Sequence, residues 1–414
     1  MFGSIALAII AVNHVGGMET LLSKLSGLLG SDAVHENTLK FIPPLPDANI
    51  TTSTFWESPF SKFLIFISVM WWSHHGTDGG GYIIQRMSSA KNERHALLAT
   101  LWYNLAHYAL RVWPWIIVAV VSIVLFPAIP ESYSELGVKA GYPLVMNTLL
   151  GPGLKGLLIV SFLAAFMSTI DTHLNWGASY LINDLYKRFY KPNESEAHYV
   201  FVGKIFTVIL MVLAAYTALK MQSISKAWEF IFSMGAGIGL VLILRWFWWR
   251  INAWSEITAL ATSILVTIAL EVVAGLQTIQ SGKEYMLFGS APELFGVSLQ
   301  VHHKLMIIVP LAMSAWIMAT FLTKPEPIEN LKAFYRRVQP GGWWEPVTVG
   351  FEHTLQPVSQ GILILWFAGI LMIYGFTFGI GNLVFQNYSQ SALLFVCAGI
   401  GSYLVWNKSL SKLS

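Results

Sequence analysis

The residues best equipped for chemistry stand together in Trp71-Trp72-Ser73-His74-His75-Gly76-Thr77-Asp78-Gly79-Gly80-Gly81-Tyr82. Two histidines, a threonine and an aspartate supply donors and acceptors, and four glycines make poor helix material. The stretch interrupts an apolar run, 60–84, of membrane-spanning length. Irregular backbone is tolerated at membrane depth only where protein or a water-filled cavity surrounds it. An unwound helix is therefore predicted. Its freed carbonyls can hold a cation, its half-helix N-terminus can face an anion, and His74, His75, Thr77 and Asp78 can touch a solute. The bland alternative is a structural kink. A metal site built from His74, His75 and Asp78 is disfavoured, because adjacent histidines point to different faces of a helix.

Asn104, His107 and Arg111 follow at i, i+3 and i+7, on one face of an α-helix. Arg111 falls halfway along an apolar segment, where a charge normally faces the bundle interior and a partner. Two readings stay open: a bidentate clamp for a carboxylate-bearing substrate, or an internal ion pair with Asp171 or Asp78. A third constellation is the polar stripe Ala165, Ser168, Thr169, Thr172, Asn175 and Ser179. Hydroxyls and a helical carbonyl are hard oxygen donors suited to sodium. The same residues also serve close helix packing. Asp171, beside the stripe with Thr172, is a candidate for a second cation, a proton relay or the counter-ion of Arg111.

These residues must be positioned by helices in a bilayer. The chain has 414 residues, 55% hydrophobic and only 11% charged, with a mean hydropathy of +0.58. A soluble domain carries about 25% charged residues, so an all-α polytopic membrane protein is expected. The long continuous apolar runs exclude a β-barrel, whose strands alternate. The net charge of +3 gives no reason to expect nucleic acid, and the single Cys397 excludes an intramolecular disulfide. No paired base and nucleophile appears, so no enzyme is expected.

About ten segments approach membrane length, near 2–16, 60–84, 97–127, 152–182, 198–220, 227–249, 257–278, 304–323, 358–384 and 390–407. The first is short and begins apolar at Met1 with no basic residue before it. We read it as the remnant of a longer helix, truncated at its N-terminus. Every second loop is basic, with Arg86, Lys91 and Arg94, then Lys187, Arg188 and Lys191, then Arg245 and Arg250, then Lys332, Arg336 and Arg337. This alternation predicts a cytoplasmic C-terminus in a plasma or inner membrane. The loop 17–59 reads as irregular and external, with an Asn49-Ile50-Thr51 acceptor spacing. In the cytoplasmic loop 324–357, Phe334-Tyr335-Arg336-Arg337 and Pro340-Gly341-Gly342-Trp343-Trp344 suit an anchor at the headgroup level.

Tyr82-Ile83-Ile84-Gln85-Arg86 with Ser89-Ala90-Lys91, the run Phe162 to Ile170, Asn183-Asp184-Leu185-Tyr186-Lys187 and Arg245 to Ile257 together resemble motifs of the sodium:solute symporter family, in the same order. The resemblance implies part of a leucine-transporter-type inverted-repeat fold. Residues 1–16 would end the fifth core helix, 60–249 would be core helices six to ten, and 250–414 would be peripheral helices. It implies sodium ligation by the Ala165 carbonyl and the Ser168 and Thr169 hydroxyls, completed by a first core helix with no counterpart in this sequence. The family's sugar-stacking aromatic would fall near Gly76, which disfavours a sugar, and a substrate-contacting lysine would fall near His107. The expected function is sodium-coupled symport of a small organic solute, one bearing a carboxylate. No organic cofactor is expected, the partners are the solute and the lipid bilayer, and the oligomeric state stays open. The alternatives are a non-transporting fragment and a membrane-embedded sensor.

Overall fold

A computed structural model describes residues 2–30, 39, 41–46, 52–221, 224–282, 291–294, 296–350 and 359–408. The Asn49-Ile50-Thr51 spacing lies outside the described residues. The architecture is an all-α membrane bundle. Seven described helices are long and apolar enough to cross a membrane, and up to nine spans result if two bent pairs each count as one. These nine coincide with nine of the ten expected segments. The tenth, 60–84, is divided by the turn at the glycines.

The first bent pair is α1 (Phe2–Val15) and α2 (Met18–Leu29), which meet at 70°. Part of the expected irregular loop is thus helical. Met18-Glu19-Thr20-Leu21-Leu22-Ser23-Lys24-Leu25 repeats apolar residues at helical spacing, and Leu21 and Leu25 are fully buried. The interrupted segment begins as α3, residues 59–73, in which Pro59–Ile65 passes through a wider π-type turn, Phe66–Met70, into Trp71–Ser73. It resumes as α4 (Gly80–Ser88).

The long span α5 (Glu93–Leu125) contains another π-type stretch, Leu105–Leu110. A short helix, α6 (Gly141–Leu149), packs on its second half inside what reads as a loop. Then come α7 (Pro152–Tyr190) and α8 (Glu196–Lys220). The second bent pair, α9 (Ile224–Met234) and α10 (Gly239–Phe247), turns by 40°. The remaining spans are α11 (Ala253–Gln280), α12 (Val301–Leu322), α15 (Ser359–Val384) and α16 (Tyr388–Lys408). Between α12 and α15 lie two short helices, α13 (Ile328–Val338) and α14 (Glu345–Thr348).

One apolar cluster joins α1, α2, α5 and α6 around Leu7, Leu21, Val118 and Val145. A second joins α3, α11 and α12 around Ile65 and Ile308, and a third joins α10, α11 and α12 around Val241 and Trp316. Lipid tails are as apolar as these side chains, so close packing decides which helices meet. One close approach of backbone to backbone joins the two interrupted segments. A Cβ on Gly239 would overlap the Trp72 carbonyl oxygen and lie 2.6 Å from that of His74.

Candidate functional site

The break begins where His74 leaves the helix in an extended conformation, φ −95° and ψ 160°. The Thr77 hydroxyl donates to the His74 carbonyl at 2.5 Å and the Thr77 amide donates to the same oxygen at 3.2 Å. The Gly76 amide donates to His74 Nδ1, 2.5 Å away. Gly79 and Gly80 take φ of +92° and +64°, a region where a side chain is strained. The glycines are therefore needed for the turn itself. Because His74 has left the helix, its ring lies beside that of His75, with centroids 4.8 Å apart, rather than on another face. The His74 ring also stacks on Phe232 of α9 at 5.5 Å.

Asp78 has both carboxylate oxygens engaged. Oδ1 accepts from the Gly80 amide at 2.9 Å, and Oδ2 accepts from Arg245 Nη2 of α10 at 2.8 Å. Arg245 Nη1 in turn donates to Glu256 Oε1 of α11 at 3.1 Å. The α4 N-terminus is thus occupied by the chain's own carboxylate, which the helix dipole and the guanidinium both favour. The expected partner of Asp78 or Asp171, Arg111, pairs with neither. Arg111 Nη2 approaches His107 Nε2 at 3.4 Å, and Asp171 Oδ1 accepts from Asn175 Nδ2 at 2.9 Å.

The reason lies in the backbone. The π-type turn at Leu105–Leu110 widens the helix between Asn104 and Arg111, so their i, i+7 spacing no longer specifies one face. A cavity of about 370 Å³ opens beside the break, lined by Gly76, Gly79, Arg86, Thr100, Tyr103, Asn104 and Tyr108. Of the three expected residues on this helix, Asn104 lines it, while His107 and Arg111 do not. The Asn104 Nδ2 is tied to the Thr100 carbonyl at 2.8 Å.

The α7 stripe is a separate locus. Thr169 donates its hydroxyl hydrogen to the Ala165 carbonyl at 2.9 Å, and Thr172 does the same to the Ser168 carbonyl at 2.9 Å. The hydrogens are spent on the helix's own backbone, which leaves oxygen lone pairs free for a hard cation. Ala165, Ser168 and Thr169 are exposed, and only 6% of the apolar window of α7 is buried against other described residues. The helix reaches the interrupted segment at Trp176, whose ring would lie 3.2 Å from a Cβ on Gly81.

Sequence reasoning missed the second bend. Its signal is Gly235-Ala236-Gly237-Ile238-Gly239, three alternating glycines inside an apolar run. It also missed Arg245 and Glu256 as partners of the break, since Arg245 is 167 residues from Asp78.

Among proteins of known role, residues 31% identical over 31% of this chain occur in the high-affinity proline transporter PutP of Bacillus subtilis, covering 28% of that protein. The osmoregulated proline transporter OpuE of the same organism is 27% identical over 39% of this chain and 34% of its own length. Sodium/glucose cotransporter 4 of Danio rerio is 25% identical over 64% of this chain and 42% of its own length. The chain thus spans less than half the length of these relatives. The model of one family of transporters, which are not enzymes, matches residues 1–266, so most of the spans and both interrupted helices lie within it. With that match and the unwound helix above, the chain belongs to the sodium:solute symporter family.

Proposed function

We propose that this chain serves sodium-coupled symport of a small organic solute bearing a carboxylate, with the solute held at the break between α3 and α4. The observation that carries the reading is the cavity of about 370 Å³ on Gly76 and Gly79. Thr100, Asn104 and Tyr108 offer it hydrogen bonds, and Arg86 gives it a cationic wall. His74, His75 and Thr77 shape the turn that exposes it. Asp78 acts through the α4 N-terminus and Arg245, and His107 and Arg111 act from outside the cavity.

The Ala165 carbonyl with the Ser168 and Thr169 hydroxyls forms one half of a sodium site. Asp171 and Thr172 are the next oxygen donors along it. Their exposure supports this reading, because a cation shared with another element needs its donors uncovered. Residues 60–249 correspond to core helices six to ten, 1–16 to the end of the fifth, and 250–414 to peripheral helices. The alternation of basic loops supports a cytoplasmic C-terminus. At a membrane potential of −100 mV, each sodium entering gains about 2.3 kcal/mol, roughly fifty-fold in solute accumulation.

The test is sodium-gradient uptake in proteoliposomes, using the complete reading frame that contains this sequence. L-proline and other carboxylates are expected to compete, with neutral sugars inert. Competition by neutral sugars alone overturns the carboxylate assignment. Uptake indifferent to sodium overturns the coupling.

A further inference from the structure

The aromatic segment 339–344 does more than lie at the headgroups. It is docked on the C-terminal end of α10. The Trp343 amide donates to the Phe247 carbonyl at 2.6 Å, and the Trp249 amide donates to the Trp343 carbonyl at 3.3 Å. Trp344 Nε1 donates to the Trp246 carbonyl at 3.0 Å. The last carbonyls of a helix have no partners within it, and here the segment supplies them. Trp344 is 3% exposed and its ring stacks on Phe334 of α13 at 5.5 Å. Leu331, Tyr335 and Val347 complete this small core.

Gly342 makes the fit. Its φ is +95°, and a Cβ there would lie 2.5 Å from the Phe247 carbonyl oxygen and 2.9 Å from Phe247 Cβ. A cavity of about 340 Å³ is lined both by Asp78, Ile243 and Trp246 and by Val338, Pro340 and Gly341. The segment therefore shares this cavity with the aspartate that accepts from the Gly80 amide and binds Arg245.

We propose that residues 339–344 are an inner closing element, which docks on α10 and shuts the approach to the break from the Arg245 side. The indole of Trp344 and the missing side chain of Gly342 are the two features that hold it down. Undocking breaks three hydrogen bonds at the end of α10 and withdraws Trp344 from its small core, while the larger clusters around Leu7, Ile308 and Val241 stay intact, so the element can open without unfolding the bundle. The inference rests on the break being the solute site, but its test needs neither solute nor sodium.

Cys397 is the only cysteine, so Cys397→Ser provides a clean background. Ile243→Cys is added to report the cavity, and inside-out vesicles are treated with a charged, membrane-impermeant maleimide. Modification is expected to be slow with the segment intact and at least tenfold faster with Trp344→Ala or, independently, Gly342→Ala. Trp343→Ala, which removes an exposed side chain and keeps the backbone bonds, is expected to leave the rate unchanged. Fast modification of Ile243→Cys with the segment intact overturns the proposal, and this arm involves no destabilised variant. Unchanged rates in both Trp344→Ala and Gly342→Ala overturn it equally. A failure of sodium-driven uptake would bear on the proposed function alone.

Discussion

Arg245 Nη2 stands 2.8 Å from Asp78 Oδ2, and its other terminal nitrogen stands 3.1 Å from Glu256 Oε1. One guanidinium thus links the break in the first interrupted helix to the second interrupted helix and to α11. The planar guanidinium does this with two separate terminal nitrogens, one to each carboxylate.

Arg245→Ala is expected to free Asp78 and lower stability by about 1–2 kcal/mol, since the side chains are only partly buried. Arg245→Lys should restore part of it, by reaching one carboxylate. Thermal unfolding in detergent of the two variants and the parent checks this. Equal melting temperatures for all three would remove Arg245 from the account.

Glu271 and Lys304 form a buried pair, Nζ to Oε1 2.8 Å, between α11 and α12. Glu271 Oε2 has no hydrogen-bond partner among the described residues. Removing one member strands a buried charge, so Lys304→Met alone should cost about 3–5 kcal/mol. The double variant Glu271→Leu, Lys304→Met should recover most of that. A double-mutant cycle of unfolding free energies measures it, and additive losses would contradict a direct pairing.

Ser168→Ala and Thr169→Ala remove exposed hydroxyls, so neither should change the melting temperature by more than a degree or two. Both should raise the sodium concentration for half-maximal uptake about tenfold or more. An unchanged sodium requirement would reassign the stripe to packing.

Gly239→Ala should destabilise by more than 2 kcal/mol, because the added methyl overlaps backbone at Trp72 and His74. Gly399, in the middle of α16, has nothing within 4 Å of its Cβ position. Gly399→Ala should be neutral or gain up to about 1 kcal/mol of helix stability. Chemical denaturation of both variants distinguishes a packing effect from a helix-propensity effect.

Much of the molecule was legible because membrane spans and breaks are local signals. The run 60–84 had to unwind at Gly76–Gly81, since no other part of it holds several glycines beside charged and imidazole groups. From sequence α2 reads as loop because Glu19, Ser23 and Lys24 interleave with its buried Leu21 and Leu25 in a segment too short to span. The one-face reading of Asn104 and Arg111 presumes an unbroken α-helix, whereas the helix widens at Leu105–Leu110, where it packs against α15.

Taken alone, the sequence determined the class, the family resemblance, the positions of most spans and the place where the backbone must unwind. Hydrophobic length, glycine content and motif order are properties of adjacent residues. Only the tertiary structure decided that Asp78 answers to Arg245, that Gly239 admits the Trp72 carbonyl and that Trp344 docks on α10. Those choices depend on which distant surfaces come within a few ångströms, and a satisfied charge or a missing Cβ has its effect only at that range.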